Sequence, residues 1–486
     1  MMRMKLNNQK LLTGKAYING QWIDGSKSFD VTNPATGEVI AEVADLDVGQ
    51  VRTAIGAASD AFPAWAAKSA KDRAVILRKW YELIVENADD LAAILTAEQG
   101  KPLFESKGEV LYGASFIEWF AEEGKRVYGD IIPSPIPGAR IHVLKQPIGV
   151  CATITPWNFP SAMITRKVGP ALAAGCTMVS RPASQTPLSA TALAVLAEEA
   201  GVPAGVFSVL PSNDARGTGK ELCENDSVQK LSFTGSTEVG RILMKQCADG
   251  IKKISLELGG NAPFIVFDDA DIDAAVEGAM ICKFRNAGQT CVCANRIYVQ
   301  DSVYDEFAEK LAEKIKALKI GDGAEVGTDI GPMIDESGMQ KAQEHIQDAL
   351  DHGATLVTGG QPHKAGELFF EPALLTGVTK EMQVAREETF GPVAPLFRFT
   401  DEADVIAQAN DTIYGLAAYF YAKDMARIIR VSEALDYGMV AVNKGVLSTE
   451  VAPFGGVKQS GLGREGSKYG IDEYLEMKYV LLGGVD

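Results

Sequence analysis

The sequence has no excess of positive charge, and this argues against two broad classes of partner. Its 486 residues include 47 lysines and arginines against 64 aspartates and glutamates, which gives a net charge of −17. Nucleic acids and anionic membranes are bound by basic surfaces, so we expect neither as a partner. No apolar run approaches the roughly 18 residues of a membrane-spanning helix. Any anionic ligand would therefore need a local cationic pocket.

Histidine is scarce, and the cysteines form no recognisable metal or disulfide pattern. Only four histidines are present, and the seven cysteines are an odd number without a CxxC pair. These absences speak against a disulfide framework and a zinc site, so we predict no metal. The N-terminus has basic residues but no apolar stretch after them, which is not the pattern of a secretory signal. The sequence therefore predicts a cytoplasmic protein.

Strand-like and helix-like segments alternate along most of the chain. Residues 48–120 have helical apolar spacing, as in DRAVILRKWYELIVENADDLAAILT. The strand-like GVCATITPW is followed by the helical SAMITRKVGPALAAG, and KLSFTG is followed by STEVGRILMKQCADG. This alternation predicts an α/β fold with a parallel, doubly wound sheet. A second α/β series begins near ISLELGG, and the length of the chain favours two or three domains.

The C-terminal segment LEMKYVLLGG is typical of a strand, yet the neighbouring sequence offers it no partner. Terminal edge strands often pair with a second subunit. We therefore expect this segment to take part in oligomerisation.

The usual dinucleotide fingerprint, a GxGxxG that follows a strand, is missing. The nearest string begins at Gly217 and lacks both the third glycine and the Ser or Thr of a phosphate loop. The motif FTGSTEVG at 233–240 does follow a strand and open a helix, so its amides at Ser236 and Thr237 could meet a phosphate. Alternatively, Ser236 is an ordinary helix cap.

Two further motifs place polar side chains at strand ends. In TPWNFP (155–160) two prolines bracket Asn158, whose amide could donate to a polarised carbonyl. In ISLELGGNAP (254–263) Glu257 is a lone acid in an apolar segment, where desolvation raises the pKa of a carboxyl toward that of a general base. The alternatives are a proline-rich turn and a structurally paired acid.

Cys291 and Cys293 stand one residue apart in NAGQTCVCANR. Residue types alone allow half a metal site, a redox disulfide, two unremarkable thiols, or a nucleophile with a bystander. No histidine lies in a site-like segment, so activation of Cys291 would depend on a local positive field or on Glu257 as base.

PWNFP, LELGG and GQTC occur in this order, with EETFGPV at 387–393 and PFGGVKQSGLGREG at 453–466. This set resembles the aldehyde dehydrogenase superfamily from about residue 15 onward, and three longer segments look most like its succinate-semialdehyde dehydrogenases. The resemblance implies an aldehyde dehydrogenase-like fold with a Rossmann-like cofactor domain (1–124 and 148–255) and an α/β catalytic domain (256–455). It also implies a small β oligomerisation arm (125–147 and 456–486) and a homo-oligomer, a dimer or a tetramer.

The resemblance also implies the chemistry. The Cys291 thiolate would attack the aldehyde, the Asn158 amide and the Cys291 N–H would hold the oxyanion, and Glu257 would activate the water that hydrolyses the thioester. The implied cofactor residues are Trp157, Asn158, Arg181, Pro182, Ala183, Ser184, Gly235, Ser236, Leu258, Glu388 and Phe390. Among these, Glu388 would hold the nicotinamide ribose and Phe390 would pack near the ring.

One position departs from the family pattern and bears on the choice of cofactor. Arg181 stands where most members have lysine, and Ser184 stands where NAD-preferring relatives commonly have an acid. A guanidinium beside a hydroxyl suits a phosphate, so we predict NADP rather than NAD.

Arg166, Arg285 and Ser448 match the positions that bind the substrate carboxylate in succinate-semialdehyde dehydrogenases. Succinate semialdehyde is therefore the expected substrate, with glutarate semialdehyde or another ω-carboxy aldehyde as the alternative. A non-catalytic protein that keeps the fold is disfavoured because Cys291, Glu257 and Asn158 are all present. Some relatives are thought to link the two neighbouring cysteines as a redox switch, which makes Cys293 a candidate partner of Cys291; alternatively, Cys293 is a packed bystander.

Overall fold

The computed structural model describes residues 5–484, and two large sheets flanked by helices form its framework. The α-helices are α1 (Val48–Ala66), α2 (Ala70–Glu86), α3 (Ala88–Gln99), α4 (Leu103–Glu123), α5 (Ala162–Ala174), α6 (Pro187–Ala200), α7 (Ala215–Glu224), α8 (Thr237–Ala248), α9 (Ile272–Phe284), α10 (Tyr304–Lys316), α11 (Glu336–Asp351), α12 (Gln383–Arg386), α13 (Glu402–Asn410) and α14 (Met425–Ala434). In the described part of the chain, no helix is long and apolar enough to cross a membrane.

The first large sheet has eight strands, and its five central strands are parallel. In spatial order they are β19 (Gly461–Leu462), β11 (Lys253–Glu257), β10 (Val228–Thr234), β7 (Val150–Ile154), β8 (Thr177–Arg181), β9 (Phe207–Val209), β1 (Ala16–Ile18) and β2 (Gln21–Ile23). The chain adds β8 and β9 on one side of β7, then β10 and β11 on the other. Ligands bind at such a switch point, outside the carboxyl ends of the strands.

Helices cover both faces of this sheet, as the burial of alternate residues in β7 shows. Cys151 packs into a core that includes Leu193 of α6, whereas its neighbour Ala152 packs into a separate core that includes Leu222 of α7. Successive side chains of a strand point to opposite faces. The predicted doubly wound α/β architecture is therefore confirmed.

The second large sheet has seven strands, drawn from residues 262–442. In spatial order they are β14 (Thr355–Thr358), β15 (Ala373–Thr376), β16 (Val393–Phe399), β13 (Ala294–Gln300), β12 (Ala262–Val266), β17 (Ala417–Tyr421) and β18 (Met439–Val442). All are parallel to their neighbours except β14. The chain passes from the first sheet to the second between β11 and β12, next to the predicted domain boundary at 255/256. The domain division itself stays a prediction.

Two smaller sheets complete the fold. The strands β3 (Lys27–Thr32) and β4 (Val39–Asp45) form a hairpin, and the other sheet contains β20 (Leu475–Gly483), β6 (Ala139–Pro147) and β5 (Asp130–Ile132). β20 pairs with β6 over nine residues, with Tyr479 opposite Val143. The neighbouring sequence offers this C-terminal strand no partner, and its partner β6 within the described chain is distant in sequence. The outer edge of β20 faces no other strand among the described residues.

Candidate active site

Two of the predicted motifs meet at the switch point of the first sheet. The TPWNFP segment follows β7, and Gly235 and Ser236 follow β10. The Ser236 hydroxyl accepts a hydrogen bond from the Val239 amide, so the capping interpretation of FTGSTEVG is confirmed. The N-terminus of α8 therefore lies at the carboxyl edge of the sheet, where its dipole favours an anion. The string that begins at Gly217 lies inside α7 and forms no phosphate loop.

The backbone before Cys291 is unusual. Asn286, Ala287 and Gly288 have φ values of 52°, 53° and 73°, three consecutive residues in the left-handed region. For residues other than glycine this conformation costs about 1–2 kcal/mol each, so it persists only where the surroundings impose it. Here the Asn286 backbone amide donates to Glu105 Oε2 at 2.8 Å. The cysteine is thus presented by a strained, tethered loop.

Cys291 lies at the junction of two cavities. A cavity of about 340 Å³ contains the three residues predicted to bind a substrate carboxylate: Arg166, Arg285 and Ser448. A second cavity, of about 310 Å³, contains seven of the predicted cofactor residues: Trp157, Asn158, Gly235, Ser236, Leu258, Glu388 and Phe390. Because Cys291 lines both, its thiol can react with a ligand that enters from either side.

The surroundings of Cys291 favour the neutral thiol. Burial raises the pKa of this thiol to about 12, the nearby Arg166 opposes the shift, and Glu388 and Glu257 add to it. The thiolate expected from the sequence is therefore not the resting form, and a base has to remove the proton.

Asn158 is buried, and hydrogen bonds fix both its backbone and its side chain. The Asn158 carbonyl accepts from Lys101 Nζ at 2.6 Å and from Asn286 Nδ2 at 3.1 Å. Its own Nδ2 donates to the Gln289 carbonyl at 3.0 Å, which leaves one N–H of the amide available. Among the described residues, the Cys291 backbone N–H donates to no backbone carbonyl. Two free N–H groups are the donors that an oxyanion site needs.

Glu257 ends β11 and is 3% exposed, and neither of its carboxylate oxygens has a hydrogen-bond partner in residues 5–484. Burial raises the pKa of this carboxyl well above its ordinary value, with a further rise from the nearby Glu465 and an opposing effect of Arg166. A buried, unpartnered acid is rare in folded proteins and suggests a functional role. The alternative of a structurally paired acid finds no support in the geometry.

The second cavity has the features expected for an anionic ligand that carries a ring. Phe390, itself left-handed at φ 53°, meets the Trp157 ring edge-on at 5.7 Å. Glu388 Oε1 accepts a hydrogen bond from the Gly260 amide at 3.1 Å, and burial raises the pKa of the Glu388 carboxyl to about 7. Lys341 of α11 also lines the cavity. Sequence analysis missed Lys341 because it lies on an amphipathic helix, where a lysine usually marks a solvated face.

The predicted phosphate-binding run lies outside this second cavity. Arg181 ends β8, is 8% exposed, and donates to the Ser212 carbonyl at 3.0 Å, while its Nε has no partner within the described chain. Pro182 and Ala183 are buried beside it, and Ser184 lines a separate cavity of about 660 Å³. A buried guanidinium N–H without an acceptor is compatible with an additional anionic ligand.

The two arginines of the first cavity are not equivalent. Arg166 is 2% exposed and its Nε donates to Glu465 Oε2 at 2.7 Å, with Lys167 bound to the same carboxylate. Arg285 has no ion pair in residues 5–484, and its guanidinium carbon lies 5.3 Å from the centre of the Phe159 ring. Arg285 is therefore the arginine of this cavity without an ion pair among the described residues, and the Glu105 carboxyl lines the same cavity. Glu465 lies in the quoted motif GREG, but nothing in the sequence identified it as the counter-charge of Arg166.

Cys293 and Cys291 are both free thiols, and Cys293 is buried. Lys283 Nζ lies 3.3 Å from the Cys293 sulfur, and that thiol donates to the Lys283 carbonyl at 3.5 Å. Burial raises the pKa of Cys293, and Lys283 opposes that rise. These contacts describe a packed thiol, and its role as a redox partner stays a prediction. The residues that the structure describes contain no cluster of three or more His, Cys, Asp or Glu side chains suited to a metal ion.

A half-buried thiol just before β13 of the second sheet, with an unpaired acid at the end of β11 and a held amide after β7 of the first sheet, defines a class of enzyme that acts through a covalent cysteine intermediate. The model of the "Aldehyde dehydrogenase family" matches residues 22–480, and the chain belongs to this family. The chain is 63% identical over 482 residues to "Succinate-semialdehyde dehydrogenase [NADP(+)] GabD" of Escherichia coli (strain K12), which covers 99% of this chain and 100% of that protein.

Two further relatives have comparable similarity. A glutarate-semialdehyde dehydrogenase of Pseudomonas putida (strain KT2440) is 63% identical over 481 residues, 99% of this chain and 100% of that protein. The crystal structure of succinate-semialdehyde dehydrogenase from Burkholderia pseudomallei matches with a TM-score of 0.98 and 58% identity, over 99% of this chain and 100% of that one. The family and the fold expected from the motifs are therefore confirmed.

Proposed function

We propose that this protein oxidises succinate semialdehyde to succinate with NADP. The observation that carries the proposal is the position of Cys291 between a cavity with an arginine that has no ion pair among the described residues, Arg285, and a cavity at the N-terminus of α8. The names of the E. coli and B. pseudomallei relatives, both succinate-semialdehyde dehydrogenases, support the choice of substrate.

The reaction begins with loss of the Cys291 proton. Because burial raises the pKa of the thiol, the thiolate forms in the occupied site rather than in the resting enzyme. Arg166 favours the anion, and Glu257 is the base that accepts the proton. The thiolate then attacks the aldehyde carbon and forms a thiohemiacetal.

The negative charge that develops on the aldehyde oxygen is stabilised by the free N–H of the Asn158 amide and by the Cys291 backbone N–H. Both groups are fixed before substrate arrives, and removal of one donor from such a site typically costs about 10²–10³ in kcat. NADP, when bound, supplies the nicotinamide that accepts a hydride. A thioester to Cys291 remains.

Once the proton taken from Cys291 has passed to solvent, the Glu257 carboxylate acts as a general base on the water that hydrolyses the thioester. Its two unpartnered oxygens can accept the proton of a water molecule, and a raised pKa suits proton transfer near neutral pH. Hydrolysis releases succinate and restores the thiol.

Arg285 selects the substrate by pairing with its distal carboxylate, and Ser448 donates a further hydrogen bond. Arg166, which already neutralises Glu465, shapes the field around the thiol more than it binds the substrate. A cation in a low-dielectric cavity favours an anionic aldehyde over a neutral one.

The cofactor would be held by the N-terminus of α8 and by the side chains around the second cavity, with Glu388 at the ribose and Phe390 near the ring. NADP is favoured over NAD because Arg181 and Ser184 offer donors to a 2′-phosphate, and because the name of the E. coli relative contains NADP(+). We further propose a cytoplasmic homo-oligomer, supported by the cysteine usage of the sequence and by the open apolar edge at β20.

Glutarate semialdehyde is the second candidate, because the P. putida relative of that name is as similar to this chain as the E. coli relative is. Absorbance at 340 nm, followed over a panel of succinate semialdehyde, glutarate semialdehyde and propanal with NAD and with NADP, tests the proposal. We expect the highest kcat/KM with succinate semialdehyde and NADP. A preference for propanal would overturn the substrate class, and a tenfold preference for NAD would overturn the cofactor assignment.

A further inference from the structure

A buried ion pair lies directly behind the TPWNFP turn. Lys101 and Glu109 are 1% and 0% exposed at their side chains, and Lys101 Nζ lies 2.6 Å from Glu109 Oε2. Lys101 stands between α3 and α4, where Gly100 ends α3 with a φ of 95°. No motif quoted from the sequence includes either residue, since a lysine between two helices is usually solvent-exposed.

Each N–H of the Lys101 ammonium has a partner available in or beside the turn. Besides Glu109, the ammonium donates to the Asn158 carbonyl at 2.6 Å and lies 3.8 Å from the centre of the Phe159 ring. Glu109 Oε1 accepts the amides of Ser161 and Ala162 at 2.9 and 3.3 Å. The pair therefore holds the turn at Asn158 and just after its C-terminal end.

The same contacts connect the turn to the cysteine loop. The Lys101 amide donates to Gln99 Oε1 at 3.0 Å, and Gln99 Nε2 donates to Asn286 Oδ1 at 2.9 Å. Asn286 in turn donates to the Asn158 carbonyl, the acceptor that Lys101 also uses. The Asn158 carbonyl thus accepts one hydrogen bond from Lys101 and one from Asn286 of the cysteine loop.

Global stability is a weak reason for such a pair. The desolvation of two buried charges offsets most of their attraction, and apolar replacements of similar volume are often neutral or stabilising. What an apolar side chain cannot supply is a charged donor to the Asn158 carbonyl. A displacement of 1 Å in a catalytic group can cost about 10²-fold in rate.

We propose that Lys101 is a positioning residue: its ammonium fixes the main chain of Asn158 and so aims the Asn158 amide at the oxyanion formed at Cys291. The inference rests on the proposed function, because it concerns the same oxyanion. Glu109 serves as the counter-charge that keeps Lys101 ionised in the interior.

The test compares Lys101→Met with the double variant Lys101→Met/Glu109→Gln. The single variant leaves a buried carboxylate unpaired, whereas the double variant removes both charges and keeps an acceptor for the amides at the start of α5. Lys230→Met is the matched control, because Lys230 is another fully buried lysine with an ion pair, to Glu473, outside the site.

Three quantities are measured for each variant: kcat/KM for succinate semialdehyde and for propanal, the rate of Cys291 alkylation by iodoacetamide, and the Kd of NADPH. Alkylation needs no oxyanion donor, and the other six cysteines are buried. We expect kcat/KM to fall about 10²-fold for both aldehydes in both Lys101 variants. The alkylation rate and the NADPH Kd should stay at the wild-type values, and the double variant should regain thermal stability without regaining activity.

Wild-type kcat/KM in the double variant would overturn the proposal. An equal fall in alkylation and in kcat/KM would also overturn it, because Lys101 would then support the whole site rather than Asn158. If the wild-type protein oxidises no aldehyde, the proposed function itself fails, which is a different outcome.

Discussion

Burial affects Cys291 and Glu257 in the same direction: each is held in its neutral form by its surroundings. Loss of one proton from this neutral pair leaves a single anion, the Glu257 carboxylate or the Cys291 thiolate, and the other group stays neutral. This arrangement explains how one acid can serve both as the base for the thiol and as the base for water. Burial has the largest effect on how readily Glu257 ionises, and the charge of Glu465, compensated by Arg166 and Lys167, adds to it.

Replacement of Glu257 by glutamine should slow both halves of the reaction. We expect steady-state kcat to fall by about 10²–10⁴, the usual contribution of a general base, because the thioester is no longer hydrolysed. Because Glu257 also accepts the proton of Cys291, the first turnover that forms NADPH should slow as well. Stopped-flow absorbance at 340 nm measures both phases, and an unchanged steady state would contradict the assignment.

The pH dependence follows from the direction of the Glu257 shift. Catalysis of hydrolysis needs the ionised carboxyl, and its pKa is raised above the ordinary value, so kcat should increase with pH through that raised pKa. The increase should be absent from the residual rate of Glu257→Gln. A pH profile of kcat for both proteins measures this, and parallel profiles would refute it.

The residues around Cys291 were predicted from the family resemblance that the motifs carry, and their positions at strand and loop ends explain why they come together. The motifs were not sufficient to predict charge compensation. Arg166 and its counter-ion Glu465 are separated by 299 positions, and the sequence gives no sign that they meet. Lys101 and Glu109 were not predicted for a related reason, because the burial of a charged residue before or within a helix depends on tertiary packing.

At the scale of elements, the cysteine loop depends on the left-handed run Asn286 to Gly288. A side chain at Gly288 would be doubly unfavourable: φ is 73°, and a Cβ would lie 2.3 Å from the Gly391 carbonyl oxygen. At Gly377, by contrast, φ is 68° and a Cβ would meet nothing within 4 Å.

These two glycines give a matched pair of variants. Gly377→Ala should cost about 1 kcal/mol from backbone strain alone, whereas Gly288→Ala should cost clearly more and should abolish activity by moving Cys291. Thermal unfolding and kcat/KM of both variants measure the difference. Equal stability and activity in the two variants would show that the close approach to Gly391 is unimportant.

Helices were the elements best predicted from the sequence, because their apolar spacing is local; residues 48–120 contain α1 to α3 and most of α4. The parallel strands followed from their alternation with helices. The pairing of β20 could not be read from its neighbouring sequence, because strand pairing joins residues far apart in the chain, here Leu475–Gly483 with Ala139–Pro147.

At the scale of the whole molecule, the small three-stranded sheet presents apolar side chains to the surrounding space. Met477 and Tyr479 of β20 are 76% and 61% exposed, and Ile131 of β5 is 79% exposed. Exposed apolar surface beside an open strand edge is typical of a protein–protein interface.

Replacement of both Met477 and Tyr479 by lysine should therefore weaken subunit association. We expect a smaller particle by size-exclusion chromatography with light scattering, because the charges would be desolvated in the interface. Val326→Lys, on a fully exposed loop residue, is the control and should leave the mass unchanged. An unchanged mass in the double variant would place the interface elsewhere.

The enzyme is proposed to oxidise aldehydes that are bound covalently to Cys291 and whose distal carboxylate is held by Arg285, and one comparison tests this most directly. The kcat/KM of Arg285→Ala is measured with succinate semialdehyde and with propanal, beside Arg398→Ala, an exposed arginine paired with Asp301 and Asp305. Loss of a charged hydrogen-bond partner costs about 1.5–3 kcal/mol, so kcat/KM for succinate semialdehyde should fall about 10–150-fold while propanal is little affected. Equal losses on the two aldehydes, or an equal loss in Arg398→Ala, would contradict the claim.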